Sequence, residues 1–356
     1  MKPLVSVLVP AHNAEKWIGD TLRSAISQTW DNLEIIVVDD GSKDRTLEVA
    51  SQFTSHGVRI VSQENHGASA ARNLAFSMSH GYYIQWLDAD DLLSQDKIAR
   101  QMAVAEQIDD KKTLISCSWG RFLHRYYRAK FVPTALWCDL LPKEWLLRKM
   151  GQNLYMQTAT WLVSRDLTIA AAPWDTRLLG DDDGEYFRRV LLASDKVRFV
   201  PDAKVYYRTS GCGSLSYIGD SDRKRDAQWL SMQLHIKYLQ SLGDSERTRA
   251  VCVKYLENWG AIFYTERPDL FKQANEMASH FGRQLEAPRM SWKYTWIGRL
   301  LGLRIAWRTQ GQLSRLKLNL LMHIDKILYR LHNTTLNLVR PGPRTATWIS
   351  SDAHRY

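Results

Sequence analysis

The apolar run YYIQWLDADD ends in Asp88, Asp90 and Asp91, three carboxylates within four positions. In extended chain, side chains two apart point the same way, so Asp88 and Asp90 share a face and repel each other unless a cation lies between them. An all-oxygen donor set suits Mg²⁺ or Mn²⁺, and such an ion keeps waters and takes substrate phosphates on its open side. The ordinary alternative is a turn or a helix cap, and Asp91 or Asp96 is placed to cap the helix that KIARQMAVAEQ begins. A second acidic strand end, VVDDGS, brings Asp39 and Asp40, either of which suits the imide N–H of a uracil-like base edge. A turn plus an N-cap there needs only Ser42 or Asp44. In the third cluster, GDDDGEYFRRV, acids precede a helix whose Tyr186, Phe187, Val190 and Leu191 face a core. Asp182 and Glu185 have capping-box spacing, and a helix N-terminus favours acids. One carboxylate suffices for capping, which leaves another to act as a general base.

These acids follow elements that alternate along the first 110 residues. LVSVLVP (4–10), LEIIVVDDGS (33–42), VRIVSQ (58–63) and YYIQWLD (82–88) read as strands. The segments 14–30, 44–55 and 67–79 between them have helical period. Strands separated by helices imply a mainly parallel sheet covered on both faces, and ligands bind beyond the carboxyl ends of such strands. Those ends read PAHN, VDDGS and LDADD. In PAHN, His12 reads as a packing residue and Asn13 as a cap for a helix starting at Ala14. LISCSWGRFL is a further expected strand, and 197–216 is expected to form two short strands and a Gly/Ser-rich loop. Residues 220–345 are helical in period, with breaks expected near Gly243, Pro268, Pro288 and Gly311. The division that follows is 1–218 as a catalytic domain, with halves 1–110 and 111–218, and 219–356 as a helical basic region.

Composition narrows the function classes. Hydrophobic residues make up 45% of the 356, with 14 tryptophans, which argues for a folded protein. No window approaches a membrane span, and the N-terminus reads as a strand instead of a signal peptide. Four scattered cysteines, Cys117, Cys138, Cys212 and Cys252, indicate neither zinc nor a disulfide framework, and fit a reducing cytoplasm. Charge is uneven: residues 1–110 carry 9 Lys+Arg against 16 Asp+Glu, whereas 281–356 carry 13 against 3. Such a basic tail is drawn to polyanionic or anionic-lipid surfaces. Residues 294–308 and 313–332 mix Leu, Ile and Trp with Arg and Lys, as helices lying on the inner face of a membrane do; packing on the catalytic domain with a solvated basic edge is the other reading.

The strand ending P-A-x-N, the VDDGS turn, ENHGASAARN (64–73) and LDADD resemble, in order and spacing, the family 2 glycosyltransferases, inverting enzymes of the GT-A fold. WDTRLLGDDDGEYFRRV is similar to a second family segment, with Asp182-Asp183 standing where Glu-Asp is common. Beyond about residue 220 no family pattern is found. The resemblance implies that Pro10, Ala11, Asn13, Glu15 and Ala89 line a nucleotide-sugar pocket, with Asp40 or Asp39 at the base and Arg72 near the base or diphosphate. It places Asp88 near the ribose or a metal-bound water, and Asp90 on a divalent ion, Mn²⁺ or Mg²⁺. Family spacing to Arg189 selects Asp183 over Asp182 as the base. The expected partners are a nucleotide-sugar donor, expected to carry UDP, and a saccharide or lipid-linked acceptor in cell-surface polysaccharide or glycolipid synthesis, with no nucleic acid. Two rivals stand beside this reading. A sugar-phosphate nucleotidyltransferase would show an early Gly-rich phosphate loop, but residues 8–20 contain only Gly19. A membrane-associated adaptor with a degenerate transferase fold is the non-catalytic alternative.

Overall fold

The computed structural model describes residues 2–108, 110–209, 221–288 and 291–339. Its first sheet grows from sequence runs that are apolar on both faces, as parallel strands covered by helices must be. Strands β1 (Val5–Ala11), β2 (Leu33–Asp40), β3 (Val58–Gln63) and β4 (Tyr83–Trp86) alternate with helices α1 (Ile18–Ile26), α2 (Thr46–Ser51) and α3 (Ala68–Ser77). Short β5 (Leu92–Leu93) and α4 (Lys97–Ile108) follow, then the long β6 (Thr113–Phe122), β7 (Lys130–Phe131), α5 (Pro142–Gly151), β8 (Val163–Ser164) and α6 (Arg165–Ala170). The order in the first sheet is β3-β2-β1-β4-β8, parallel except for β8 at its edge.

A second sheet is built around β6. Helix α7 (Asp182–Ala193) leads into β9 (Lys196–Arg208), and the order is β5-β9-β6-β7. Where two short strands were expected, β9 is continuous. It pairs parallel to β6 with one register jump, the partner of Cys117 being Val200 and that of Ser118 being Lys204. Pro201 lies inside that jump and lacks a ladder N–H, so the irregularity absorbs it without ending the strand. Residues 210–216 of the expected loop, Cys212 among them, lie outside the described residues.

Helices α8 (Asp222–Ser241), α9 (Glu246–Tyr264) and α10 (Pro268–His280) add Trp229, Leu256, Phe263 and Ala274 to the same core as the sheets. Helices α11 (Trp292–Leu301) and α12 (Leu303–Val339) follow. The breaks expected near Gly243 and Pro288 fall between helices and Pro268 opens α10, but Gly311 does not break anything. The interruption is at Gly302, whose φ of +90° is open to glycine and costly for other residues, while Gly311 lies within α12. No described helix is long and apolar enough to cross a membrane.

Candidate active site

The carboxyl ends of β1, β2 and β4 and the N-terminus of α7 open onto one cavity of about 840 Å³. That size suits a small-molecule ligand. Its wall includes Pro10, Ala11, Asn13, Glu15, Asp40, Arg72, Asp88, Ala89, Asp90, Asp182 and Asp183. Of the residues expected to bind the nucleotide sugar, the metal or the acceptor proton, Asp39 is not on this wall.

The β1 and β2 ends are stitched together by side chains. Asn13 does not cap a helix: α1 begins only at Ile18, and Asn13 sits at φ +50° with its Oδ1 accepting from Lys43 N at 2.8 Å. His12 does not pack in a core but is exposed on the cavity wall, its Nδ1 2.7 Å from the Asp40 carbonyl oxygen. The Asp40 carboxylate accepts from His66 N and Gly67 N, both at 2.9 Å, and from Gln63 Nε2 at 2.6 Å. A carboxylate offers about four acceptor positions, so one remains for a ligand. Asp39 is buried, with Oδ2 accepting from Ser42 N at 3.4 Å and Oδ1 without a partner.

The three aspartates after β4 have three different surroundings. Asp88 accepts from Arg72 Nη2 at 2.8 Å. Asp90 lies on the cavity wall, and its carbonyl oxygen accepts from Arg208 Nε at 2.8 Å. Asp91 caps no helix. It is fully buried, accepts from Arg208 N at 2.8 Å and from the Gln157 side-chain amide, and is pushed well above the usual carboxylate range by burial and by Asp90 and Asp88. It therefore fastens the loop to β9, leaving Asp88 and Asp90 toward the cavity. Among the described residues no three His, Cys, Asp or Glu side chains form a metal cage. Two carboxylates beside a cavity still fit an ion of the Mg²⁺ type, which completes its shell with water and substrate phosphate.

Arg72 joins the two ends of the site. It is buried, with Nη1 2.6 Å from Asp182 Oδ2, Nη2 on Asp88, and its guanidinium 4.4 Å above the Trp174 ring. Trp174 stacks on Tyr186 of α7 with ring centres 4.0 Å apart, and Trp86 of β4 meets both rings edge-on. This aromatic block fixes the start of α7. The residue before the helix, Asp181, has a left-handed φ of +54° and accepts from Ser231 Oγ of α8 at 2.7 Å. A Cβ at Gly184 would overlap the Asp181 carboxylate, so glycine is required there for this close approach.

Asp183 is thereby held in the cavity without an ion-pair partner of its own. Its Oδ1 accepts from Gly184 N at 2.8 Å and its Oδ2 from Thr158 Oγ1 at 3.2 Å. Burial, then repulsion from Asp182 and Asp181, pushes it up to about 7, with Arg72 pulling the other way. A carboxylate with that value can take a proton near neutral pH. Arg189 points away from the cavity to Glu185, at 2.7 Å, and to the Ala171 carbonyl. Its neighbour Arg188 is the one on the wall, bonded to the Gly184 carbonyl at 2.6 Å and to His235 Nε2 at 2.8 Å. Sequence reading also missed Lys149, Tyr155, Thr158, Tyr207 and Trp259 on the far wall, because each comes singly from a separate element.

Residues 6–134 match the model of Glycosyl transferase family 2. Over 185 residues the chain is 35% identical to the uncharacterized glycosyltransferase EpsJ of Bacillus subtilis, covering 51% of this chain and 53% of EpsJ. It is 40% identical over 104 residues to the putative teichuronic acid biosynthesis glycosyltransferase TuaG of the same organism, covering 28% of this chain and 41% of TuaG. A Rickettsia typhi glycosyltransferase matches at 37% over 132 residues, 36% of this chain and 41% of the relative. The chain thus spans about half or less of the length of these curated relatives. Among solved structures, S. aureus TarS 1–349 in complex with UDP-GlcNAc superposes with a TM-score of 0.61 at 17% identity, over 79% of this chain and 81% of that one. The UDP complex of TarS gives 0.57 at 18% identity, over 77% and 75%. The fold is therefore the GT-A type, a parallel sheet flanked by helices with helices added at the C-terminus.

Proposed function

We propose, from the match of residues 6–134 to the family 2 glycosyltransferase model, that the protein moves a sugar, with inversion, from a UDP-sugar to a hydroxyl of a saccharide or lipid-linked acceptor. The observation that carries this is the convergence on one cavity of the β1, β2 and β4 ends with Asp183, whose carboxylate is raised to about 7. Pro10, Ala11, Asn13 and Glu15 border the nucleotide, with the last acceptor position of Asp40 toward the base. Asp90 with Asp88 would hold a divalent ion, Mn²⁺ or Mg²⁺, which when bound offsets charge on the departing diphosphate. Asp183 takes the proton of the acceptor hydroxyl while its oxygen attacks the anomeric carbon from the face opposite the diphosphate. The bond to the diphosphate oxygen breaks as the new glycosidic bond forms, so one displacement inverts the centre. The putative teichuronic acid biosynthesis role of TuaG and the complex of TarS with UDP-GlcNAc support this reading.

The test is a thermal-shift panel of UDP, GDP, dTDP and CMP, each with and without Mn²⁺, because a ligand selective for the folded state raises its stability. UDP with Mn²⁺ is expected to give the largest shift, followed by sugar transfer from UDP-GlcNAc. No shift with any nucleotide overturns the proposal. In Asp90→Ala, calorimetry is expected to show UDP affinity that no longer responds to Mn²⁺, and an unchanged response removes Asp90 from the metal. The proposal extends to placement: residues 1–218 form the catalytic unit, and α11 and α12 rest on an anionic membrane surface on its cytoplasmic side.

A further inference from the structure

This inference rests on the glycosyltransferase reading and concerns what the acceptor must carry. Beyond the strand-end residues, the cavity wall is formed partly by Arg121 of β6, Lys149 of α5, Tyr155 and Tyr207 of β9. Behind them Trp119 of β6 completes an aromatic cluster: its ring centre is 5.4 Å from that of Tyr155 and 6.0 Å from that of Tyr207. A cation flanks this cluster on each side. Arg121 lies 5.3 Å from the Trp119 ring and 5.9 Å from Tyr207, and Lys149 lies 6.0 Å from Tyr155. Among the described residues neither is ion-paired with a carboxylate. Arg121 is exposed with only ring contacts, and Lys149 Nζ donates only to the Leu154 carbonyl oxygen at 3.1 Å. Arg72 on the same wall, by contrast, has two carboxylates.

The nearby acids do not fill that role. Asp182 is bound to Arg72, and Asp181 and Asp183 favour the charged form of Lys149 only through space, with no ion pair to it among the described residues, while Asp183 is left to meet the acceptor hydroxyl. Asp183, Lys149 and Tyr155 also line one small recess of about 20 Å³ together, which sets the base beside the aromatic cluster. Burial, then Arg188, lowers Lys149 to about 8 against the pull of Asp181 and Asp183, and a bound anion would favour its charged form further. We infer that Arg121 and Lys149, set around the Tyr155–Tyr207 cluster beside Asp183, form an acceptor subsite for a saccharide bearing an anionic group, a phosphate or a uronate carboxylate. The rings take the apolar face of the sugar and the cations take its charge, while the reacting hydroxyl lies toward Asp183.

The test uses the full chain saturated with UDP, which blocks the donor end, and measures binding of three probes by saturation-transfer NMR titration. The probes are N-acetylglucosamine, N-acetylglucosamine 6-phosphate and glucuronate. The anionic sugars are expected to bind roughly tenfold more tightly than the neutral one, the factor equivalent to one modest charged contact. Arg121→Gln, at an exposed position, is expected to lower that preference severalfold, and Lys149→Gln to do the same where its fold is intact by circular dichroism. A preference for the phosphate alone, or for the carboxylate alone, upholds the subsite and selects the group. Equal binding of all three probes, or a preference that survives Arg121→Gln undiminished, overturns it. Failure of the wild-type chain to bind UDP at all sinks the transferase reading instead.

Discussion

Asp183 faces two opposing demands. As a base it must be ionised at working pH, yet it is buried among Asp181, Asp182 and Asp88, which resist its ionisation and raise it from an ordinary 3.8 to about 7. A proton bound more tightly in the folded state stabilises that state. The stabilisation is complete below about pH 4 and is lost as pH rises through about 7. Asp183→Asn keeps the shape, and its amide oxygen still accepts from Gly184 N, but it cannot ionise. Without ligand, its melting temperature is expected to match wild type near pH 4 and to exceed it by pH 8; a constant difference across that range refutes the raised value. Transfer by the wild type is expected to climb as pH passes about 7. In Asp183→Asn transfer should fall by ~10²- to 10⁴-fold, the range for a lost general base, with UDP affinity kept. Near-normal transfer in that variant, with a large loss in Asp182→Asn, would move the base by one residue. The geometry argues against that outcome, because Asp182 is already bound to Arg72 at 2.6 Å.

At the scale of elements, Arg72 is the tie: it projects from α3 and binds Asp88 after β4 and Asp182 at the start of α7. Removing it strands two carboxylates in a partly buried site. Arg72→Gln is expected to lose about 3 kcal/mol in urea unfolding, at the low end for breaking a buried pair because Asp88 keeps some contact with water. It should also move the pH–rate rise to higher pH, since Arg72 is the neighbour that favours ionised Asp183. A loss of stability with an unmoved pH profile would make Arg72 a structural tie only. This bond shows where sequence reading stops. The strands and helices up to residue 110 were legible because period and turn residues are local, and the cavity position followed from the strand ends. The partners of Arg72 are 16 and 110 positions away, and no local pattern announces them. Asp91 looked like its neighbours in sequence and differs only because β9 returns to bury it. Arg188 and Arg189 are adjacent, but one residue turns 100° around a helix, so one enters the cavity and the other leaves it.

Across the whole molecule the two faces of α12 are unlike. One face carries Leu318, Met322, Asp325 and Tyr329, partly buried, and Asp325 is the single acid in Leu303–Val339. Its carboxylate accepts from His124 N at 2.9 Å and Arg125 Nε at 2.7 Å, fixing the helix to the loop after β6. The other face is an exposed row of Leu313, Leu316, Leu320, Ile324 and Ile327. Those positions are spaced by 3, 4, 4 and 3 residues, a mean of 3.5, and Leu321, Leu328 and Leu331, also exposed, widen the row into a broad apolar face. A broad apolar face with Lys317 and Lys326 on the same helix suits an anionic lipid surface. The packing expectation is thus met on one side of the helix, while the exposed row on the other is what the membrane proposal rests on. In flotation assays the full chain is expected to rise with vesicles containing anionic lipid, to remain below with neutral vesicles, and to be released by high salt, which screens the lysines. Replacing Leu316 and Leu320, 63% and 61% exposed, with glutamate should abolish flotation while UDP binding persists, because neither side chain lies on the cavity wall. Absence from both lipid fractions would refute membrane docking. Flotation that survives the double substitution would place the contact elsewhere, with Trp292 and Trp296 of α11, 78% and 58% exposed, the next residues to replace.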